Sequence, residues 1–204
     1  MSEAIDFLNL LFADTQDHFL IWTLPDGMSY WFTDPGNAAT RVEALVAEKR
    51  DVYVGCGLSP RAMGSKNRCP AAEISGIVGV WADVDVADAV HTKKNLPPDD
   101  ESALALINGM GLAPSVIVSS GHGFHAWWLF KEPWVFDGGE DREKAQSLVA
   151  SWGYTLMSRA KEKGWTIDSA FDLARILRVP GTMNRMVASD IKPVTILSQS
   201  DARY

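Results

Sequence analysis

Three short stretches carry residue types that can handle metal ions and phosphates. In the first, Asp83-Val84-Asp85 ends the apolar run over residues 77–86. Strand alternation puts both carboxylates on one face, roughly 7 Å apart. Ionised and flanked by apolar residues, they repel each other. On that reading, Asp83→Asn raises the stability of the metal-free chain. A divalent cation relieves the repulsion, and hard oxygen ligands on a rigid strand suit Mg²⁺ or Mn²⁺. A strand end reaching solvent, with both aspartates hydrated, is the plainer use of the same residues.

The second stretch is Ser120-Gly121-His122-Gly123-Phe124-His125, between an apolar strand and an aromatic one. Gly121 and Gly123 let the backbone beside Ser120 approach an anion closely. His125 opens the returning strand, where an imidazole can donate to a phosphate oxygen. A tight hairpin with polar turn residues is the alternative, although it needs only one glycine. A zinc site from Cys56, Cys69, His122 and His125 is opposed by the H-x-x-H spacing and the isolated cysteines.

The third stretch runs from Ile167-Asp168 through Asp172, Arg175 and Arg178 to Asn184. If residues 169–177 are helical, Asp168, Asp172 and Arg175 lie along one side. Arginine forks suit triphosphate oxygens. Taken alone, an ordinary helix with an Asp N-cap and a surface Asp172–Arg175 pair accounts for this segment better. As a third metal ligand Asp168 is favoured over Asp172. It follows the β-prone residues 165–167, and a strand holds a carboxylate rigidly; Asp172 has Arg175 one turn away as a structural partner. Together the three stretches supply what metal-assisted nucleotidyl transfer needs, with carboxylates for the ions and cations for a triphosphate.

The elements that must position these residues are mixed. Helices are expected over residues 4–12, 35–50, 101–110, 140–163 and 169–177, and strands over 19–22, 29–32, 51–55, 77–86, 115–119, 124–130 and 193–197. Asp34-Pro35 is a helix start, with Asp as cap and Pro at the first helical position. Residues 57–72 and 87–98 read as polar loops. There is no regular βα alternation, so the fold class is α+β.

The chain has 204 residues, 47% of them hydrophobic and 22% charged, which fits one compact domain and excludes a disordered or fibrous chain. No apolar run approaches ~18 residues, so no membrane partner is expected. The first residues are acidic where a secretory signal is basic, which predicts a cytoplasmic location. A net charge of −7 excludes a general duplex-DNA coat but leaves room for a local basic groove.

The order of the motifs resembles the catalytic prim-pol domain of the archaeo-eukaryotic primase superfamily, in the type carried by plasmids, phages and mobile elements. That family has hydrophobic-Asp-hydrophobic-Asp, then small-x-His, then hydrophobic-Asp. Here Ala82-Asp83-Val84-Asp85, Gly123-Phe124-His125 and Ile167-Asp168 match. The run Asp172-Leu173-Ala174-Arg175-Ile176-Leu177-Arg178-Val179-Pro180-Gly181-Thr182-Met183-Asn184 is similar to the segment that follows in many members. The match covers residues 50–185, with residues 1–50 fitting loosely. It implies one catalytic domain over residues 1–204: an RRM-like sheet with helices packed on it in the core (50–200), plus a smaller N-terminal α/β module. It implies DNA primase or polymerase activity on a single-stranded DNA template and primer, using nucleoside triphosphates and two Mg²⁺ or Mn²⁺ ions. Asp83, Asp85 and Asp168 would hold the ions, and His125 would contact the nucleotide's phosphates. Ser120, Gly121, Gly123, Arg175, Arg178 and Asn184 would complete the nucleotide site. A helicase or C-terminal primase domain would be a partner, as in many relatives.

For the nucleic acid, Arg61, Lys66 and Arg68 sit in a stretch without acids, and Arg185 follows the third motif. The eight tryptophans could stack bases, but Trp81, Trp127 and Trp152 belong to regular elements and read as core. Two rival functions are a metal-dependent glycosyltransferase, which leaves the histidine and arginines unexplained, and an inactive nucleic-acid-binding module, which leaves the carboxylates unexplained.

Overall fold

A computed structural model of the chain describes residues 2–87 and 95–204. Most of the loop expected over 87–98 therefore lies outside the described residues. Helix α1 (Glu3–Phe12) buries Ala4, Phe7, Leu8, Leu11 and Phe12, a stripe at helical spacing. Strands β1 (Phe19–Leu24) and β2 (Met28–Phe32) form a hairpin. Helix α2 (Pro35–Ala47) starts as expected, with the Asp34 carboxylate accepting from the Asn37 amide at 2.7 Å. Strands β3 (Asp51–Gly55) and β4 (Gly57–Leu58) follow, then a single 3₁₀ turn over Ala71–Glu73. Next come β5 (Gly76–Asp85), α3 (Asp100–Asn108), β6 (Val116–Ser119), β7 (Gly123–Val135) and α4 (Gly139–Glu162). Strands β8 (Ile176–Arg178), β9 (Thr182–Asn184) and β10 (Lys192–Gln199) close the chain.

Two antiparallel sheets result, in the orders β2-β1-β3-β8 and β4-β5-β7-β6-β10-β9. Within the second, β5–α3–β6–β7–α4 forms an RRM-like unit with β5 and β7 at its centre. Alternation along these two strands divides the core. Trp81 and Trp127 face each other across the pair, with ring centroids 5.9 Å apart, and Phe7 of α1 meets Trp127 edge-on at 6.2 Å. One position on, Trp128 turns to the opposite face and packs on Trp152 of α4 at 4.8 Å. Trp81 and Trp127 are therefore core, as the sequence implied, and are fully buried together with Trp128, while Trp152 is partly buried against them. The stripe that carries Trp81 continues to Asp83 and Asp85, so one strand face changes from apolar floor to carboxylates near its end.

The third motif folds differently from expectation. Residues 165–170 form no strand, and 169–177 form no helix. Instead Asp172 caps a turn, its carboxylate accepting from the Ala174 amide at 3.0 Å, and the chain then extends into β8. Strand β8 pairs with β3 in the register Tyr53↔Arg178 and Val54↔Leu177. A nine-residue helix is marginal in water, and Asp and Ser favour turns over helix interiors. Pairing with the otherwise open edge of β3 outweighs that weak local preference. Strands β4 and β9 were also missed, each being only two or three residues long.

Candidate functional site

The end of the β5/β7 pair opens into a cleft of about 150 Å³, walled on the far side by β8 and the end of β9. Asp83, Asp85, Ser120, His125, Arg175, Arg178 and Asn184 all line it. Residues drawn from three separate stretches of sequence thus meet in one place. Asp83 and His125 sit directly opposite each other in the β5/β7 register, and the His125 Nε2 lies 3.5 Å from the Asp83 Oδ1. Arg175 arrives from the turn before β8 and donates from Nη2 to the Asp83 Oδ2 at 2.5 Å. Asp83 is therefore held on both oxygens. The pair Asp172–Arg175 expected from sequence is replaced by Asp83–Arg175.

Burial governs the protonation of His125. His125 is 5% exposed, and desolvation pushes its pKa below the ordinary imidazole value. The charge of Asp83 opposes that shift, while Arg178 and Arg175 add to it. The imidazole is thus neutral at pH 7, with one N–H to donate, and its Nδ1 has no hydrogen-bond partner among the described residues. Desolvation alone would lower Arg175, but the charge and hydrogen bond of Asp83, with smaller contributions from Cys56 and Asp172, together raise the guanidinium.

The glycine loop is required by packing. Gly121 has φ +94°, a left-handed conformation that favours glycine, and a Cβ there would meet Lys192 and Asn184. A Cβ on Gly123 would come closer than 3.0 Å to the Val84 carbonyl oxygen and the Asp85 Cα. Gly123 thus lets β7 approach the carboxylate-bearing strand. Two backbone bonds use three of the loop's groups: the Ser120 amide donates to the Gly123 carbonyl, and the Val86 amide to the His122 carbonyl. Asn184 ties the loop across the cleft, its Nδ2 donating to the Ser120 carbonyl at 2.8 Å.

Asp168 is exposed, stands in an irregular segment, and is not among the residues lining the cleft. Asp172 is also exposed and outside the lining, yet its charge acts on Arg175, as does that of Asp83. Among the described residues no three His, Cys, Asp or Glu side chains gather as a ready metal cluster. Cys56 and Cys69 are both buried and free of any disulfide.

The basic candidates divide. Arg61 pairs with Glu73 of the 3₁₀ turn at 2.7 Å, so the fold supplies the acid that its sequence neighbours lack. Arg68 lies over the Trp22 ring at 5.7 Å, and Lys66 is exposed. Their loop is fastened to β2, where the Ser29 amide donates to the Ser65 carbonyl and the Trp31 indole to the Gly64 carbonyl. Arg185 follows the cleft residue Asn184, and its backbone amide donates to the Asp51 carboxylate at 2.9 Å. Sequence reasoning missed Tyr53, His122 and Met186 as lining residues. For Tyr53 no local signal existed, since β3 reaches the cleft only through its pairing with β8. His122 was visible as the partner of Gly121 but was given to the turn.

No family model matches the sequence, and neither does any curated protein. Solved structures do match in fold. The primase-polymerase domain of cyanophage S-2L aligns over 99% of this chain and 92% of its own, with TM-score 0.63 and 15% identity. The primase RepB' aligns over 98% of this chain and 57% of its own, with TM-score 0.58 and 18% identity. The catalytic domain of RepB', solved with initiator DNA, aligns over 98% of this chain and 86% of its own, with TM-score 0.57 and 18% identity. The chain therefore has the prim-pol catalytic fold.

Proposed function

We propose that the chain is a primase-polymerase catalytic domain that transfers nucleotidyl groups from nucleoside triphosphates to a strand growing on single-stranded DNA. The observation that carries this reading is the meeting of Asp83 and Asp85 with His125, Arg175 and Arg178 in one cleft. The prim-pol fold supports it, and one structure of that fold was solved with initiator DNA.

The donor set fits a hard divalent ion, because Asp83 and Asp85 offer carboxylate oxygens from one face of a rigid strand. Mg²⁺ or Mn²⁺ bound there would activate a hydroxyl and neutralise phosphate charge. The chain's own residues do the rest. Arg175 keeps Asp83 oriented. His125 places its ring beside the incoming phosphates, and Arg178 offers a guanidinium to a phosphate oxygen. Ser120 and Asn184 set the width of the phosphate end. A third carboxylate comes from residues 168–172: Asp168 by motif order, Asp172 by its charge on Arg175. Motif order favours Asp168, with Asp172 as the alternative. Arg68, Lys66 and Arg185 are the cations left to guide the template. A helicase or C-terminal primase domain would act as partner. No helix among the described residues is long and apolar enough to cross a membrane.

The test is extension of primed and unprimed single-stranded DNA with labelled nucleotides and Mn²⁺ or Mg²⁺. Template-dependent incorporation is expected. Its absence with both ions and both nucleotide types would refute the reading.

A further inference from the structure

Arg178 is a costly residue to place where it is. Its side chain is only 4% exposed, and a guanidinium stays charged at any physiological pH. A buried charge needs a partner, and Arg178 has one outside the cleft. Its Nη1 donates to the Asp51 Oδ1 at 2.5 Å, and Asp51 is itself buried at the first position of β3. The same Asp51 oxygen accepts from the Arg185 amide at 2.9 Å. The guanidinium carbon lies 4.7 Å over the Tyr53 ring centroid, two residues further along β3. Three contacts thus fix the plane of the fork: a carboxylate at one end, an aromatic face beneath, and the β3/β8 register behind.

The fixed fork has one arm left over. Nη2 is buried and has no hydrogen-bond partner among the described residues, while Arg178 lines the cleft and Asp51 does not. A buried donor without an acceptor costs about 1–3 kcal/mol, more when charged. Such a cost persists in a folded protein where the missing acceptor arrives with a ligand. An anion with several oxygens, entering beside Asp83, His125 and Ser120, supplies it.

We propose that Asp51 is a positioning residue for the phosphates of the nucleotide: it binds one arm of Arg178 so that the other stays aimed at the triphosphate. This deepens the nucleotidyl-transfer reading and rests on it for the identity of the anion. Asp51 touches no substrate; it acts through Arg178.

The experiment measures binding separately from turnover. A nonhydrolysable nucleoside triphosphate analogue with Mg²⁺ is titrated into the full chain by calorimetry. Asp51→Asn is expected to weaken binding about tenfold, the size of one hydrogen bond to a charged group. Its affinity for single-stranded DNA should stay within about twofold, which a general folding defect would not allow. Arg178→Gln should weaken the analogue at least as much. The double variant should bind no worse than Arg178→Gln alone, because both changes act through one guanidinium. Asp51→Glu keeps the charge, displaces the fork by one methylene, and should fold while losing several-fold in affinity. It serves if Asp51→Asn fails to fold. Wild-type affinity in Asp51→Asn or Asp51→Glu, or additive losses in the double variant, would overturn the proposal. Absence of triphosphate binding by the wild type would overturn it too. Triphosphate binding without incorporation would overturn only the polymerase reading.

Discussion

Gly153→Ala sets two opposed effects against each other at one atom. Gly153 lies in the middle of α4, where alanine gains about 1 kcal/mol in helix propensity. A Cβ there, however, would come closer than 3.0 Å to three ring carbons of Phe171. Those carbons include the root of the ring, so turning the ring about Cβ–Cγ cannot clear them; Phe171 must leave its rotamer or its backbone must move. That backbone is fastened, with the Gln146 amide donating to the Phe171 carbonyl at 3.1 Å and the Trp81 indole to the Ala170 carbonyl at 3.3 Å. Overpacking costs typically about 1–3 kcal/mol, and this overlap belongs in the upper part of that range. The net expectation is a loss of about 1–2 kcal/mol, a fall in melting temperature of about 2–8 °C for a chain of this size. Because Phe171 lies just ahead of Arg175, the shift should also loosen the Arg175–Asp83 pair and reduce nucleotide incorporation. Gly139→Ala, at the start of the same helix with open space around its Cβ, should not lower the melting temperature. Thermal unfolding of both variants beside a single-turnover extension assay reads the outcome. A Gly153→Ala variant that melts at or above the wild type would refute the packing argument.

Asp83→Asn should abolish incorporation and lower the stability of the metal-free protein by about 2 kcal/mol, since it removes the charged acceptor of Arg175. Carboxylate repulsion alone predicts the opposite sign, so calorimetric melting without metal separates the two. Asp168→Asn should weaken Mn²⁺ binding more than Asp172→Asn does; the reverse order moves the third carboxylate to Asp172. Burial pushes the Cys56 thiol well above its ordinary value of 9.0. A folded pKa raised above the unfolded one gives stability that is full below about pH 9 and is lost as pH rises beyond it. Cys56→Ala should flatten the fall in melting temperature between about pH 9 and 11, and an equally steep fall in the variant would contradict this.

What was legible in the sequence was whatever a single strand encodes by itself. Alternation alone places Asp83 and Asp85 on one face, and the glycine-histidine turn announces the start of β7. The third motif was legible as a set of residue types but not as a shape. Nothing near Ile176 signals that the edge of β3 needs a partner, so turn-forming aspartates were read as part of a helix. Asp51 was invisible for the same reason: it and Arg178 are 127 positions apart and meet only through the β3/β8 pairing. Local rules also cannot show that Arg61 finds Glu73, or that Arg175 prefers Asp83 to the nearer Asp172.

The pairing of β8 with β3 also bears on how this molecule could be divided or recombined. The strand that brings Arg175 and Arg178 to the cleft comes late in the chain, yet it is hydrogen-bonded into the sheet begun by the first residues. A fragment starting after β3 would keep both aspartates and His125 but leave β8 without its sheet, and would lack Asp51 and Tyr53. A fragment ending before β8 would keep only β2-β1-β3 and β4-β5-β7-β6, losing β9 and β10 as well as one wall of the cleft. The site is thus a property of chain closure, with its pieces interlaced front to back. Swapping either half between homologues would transplant the cleft only if the β3/β8 seam were carried across intact.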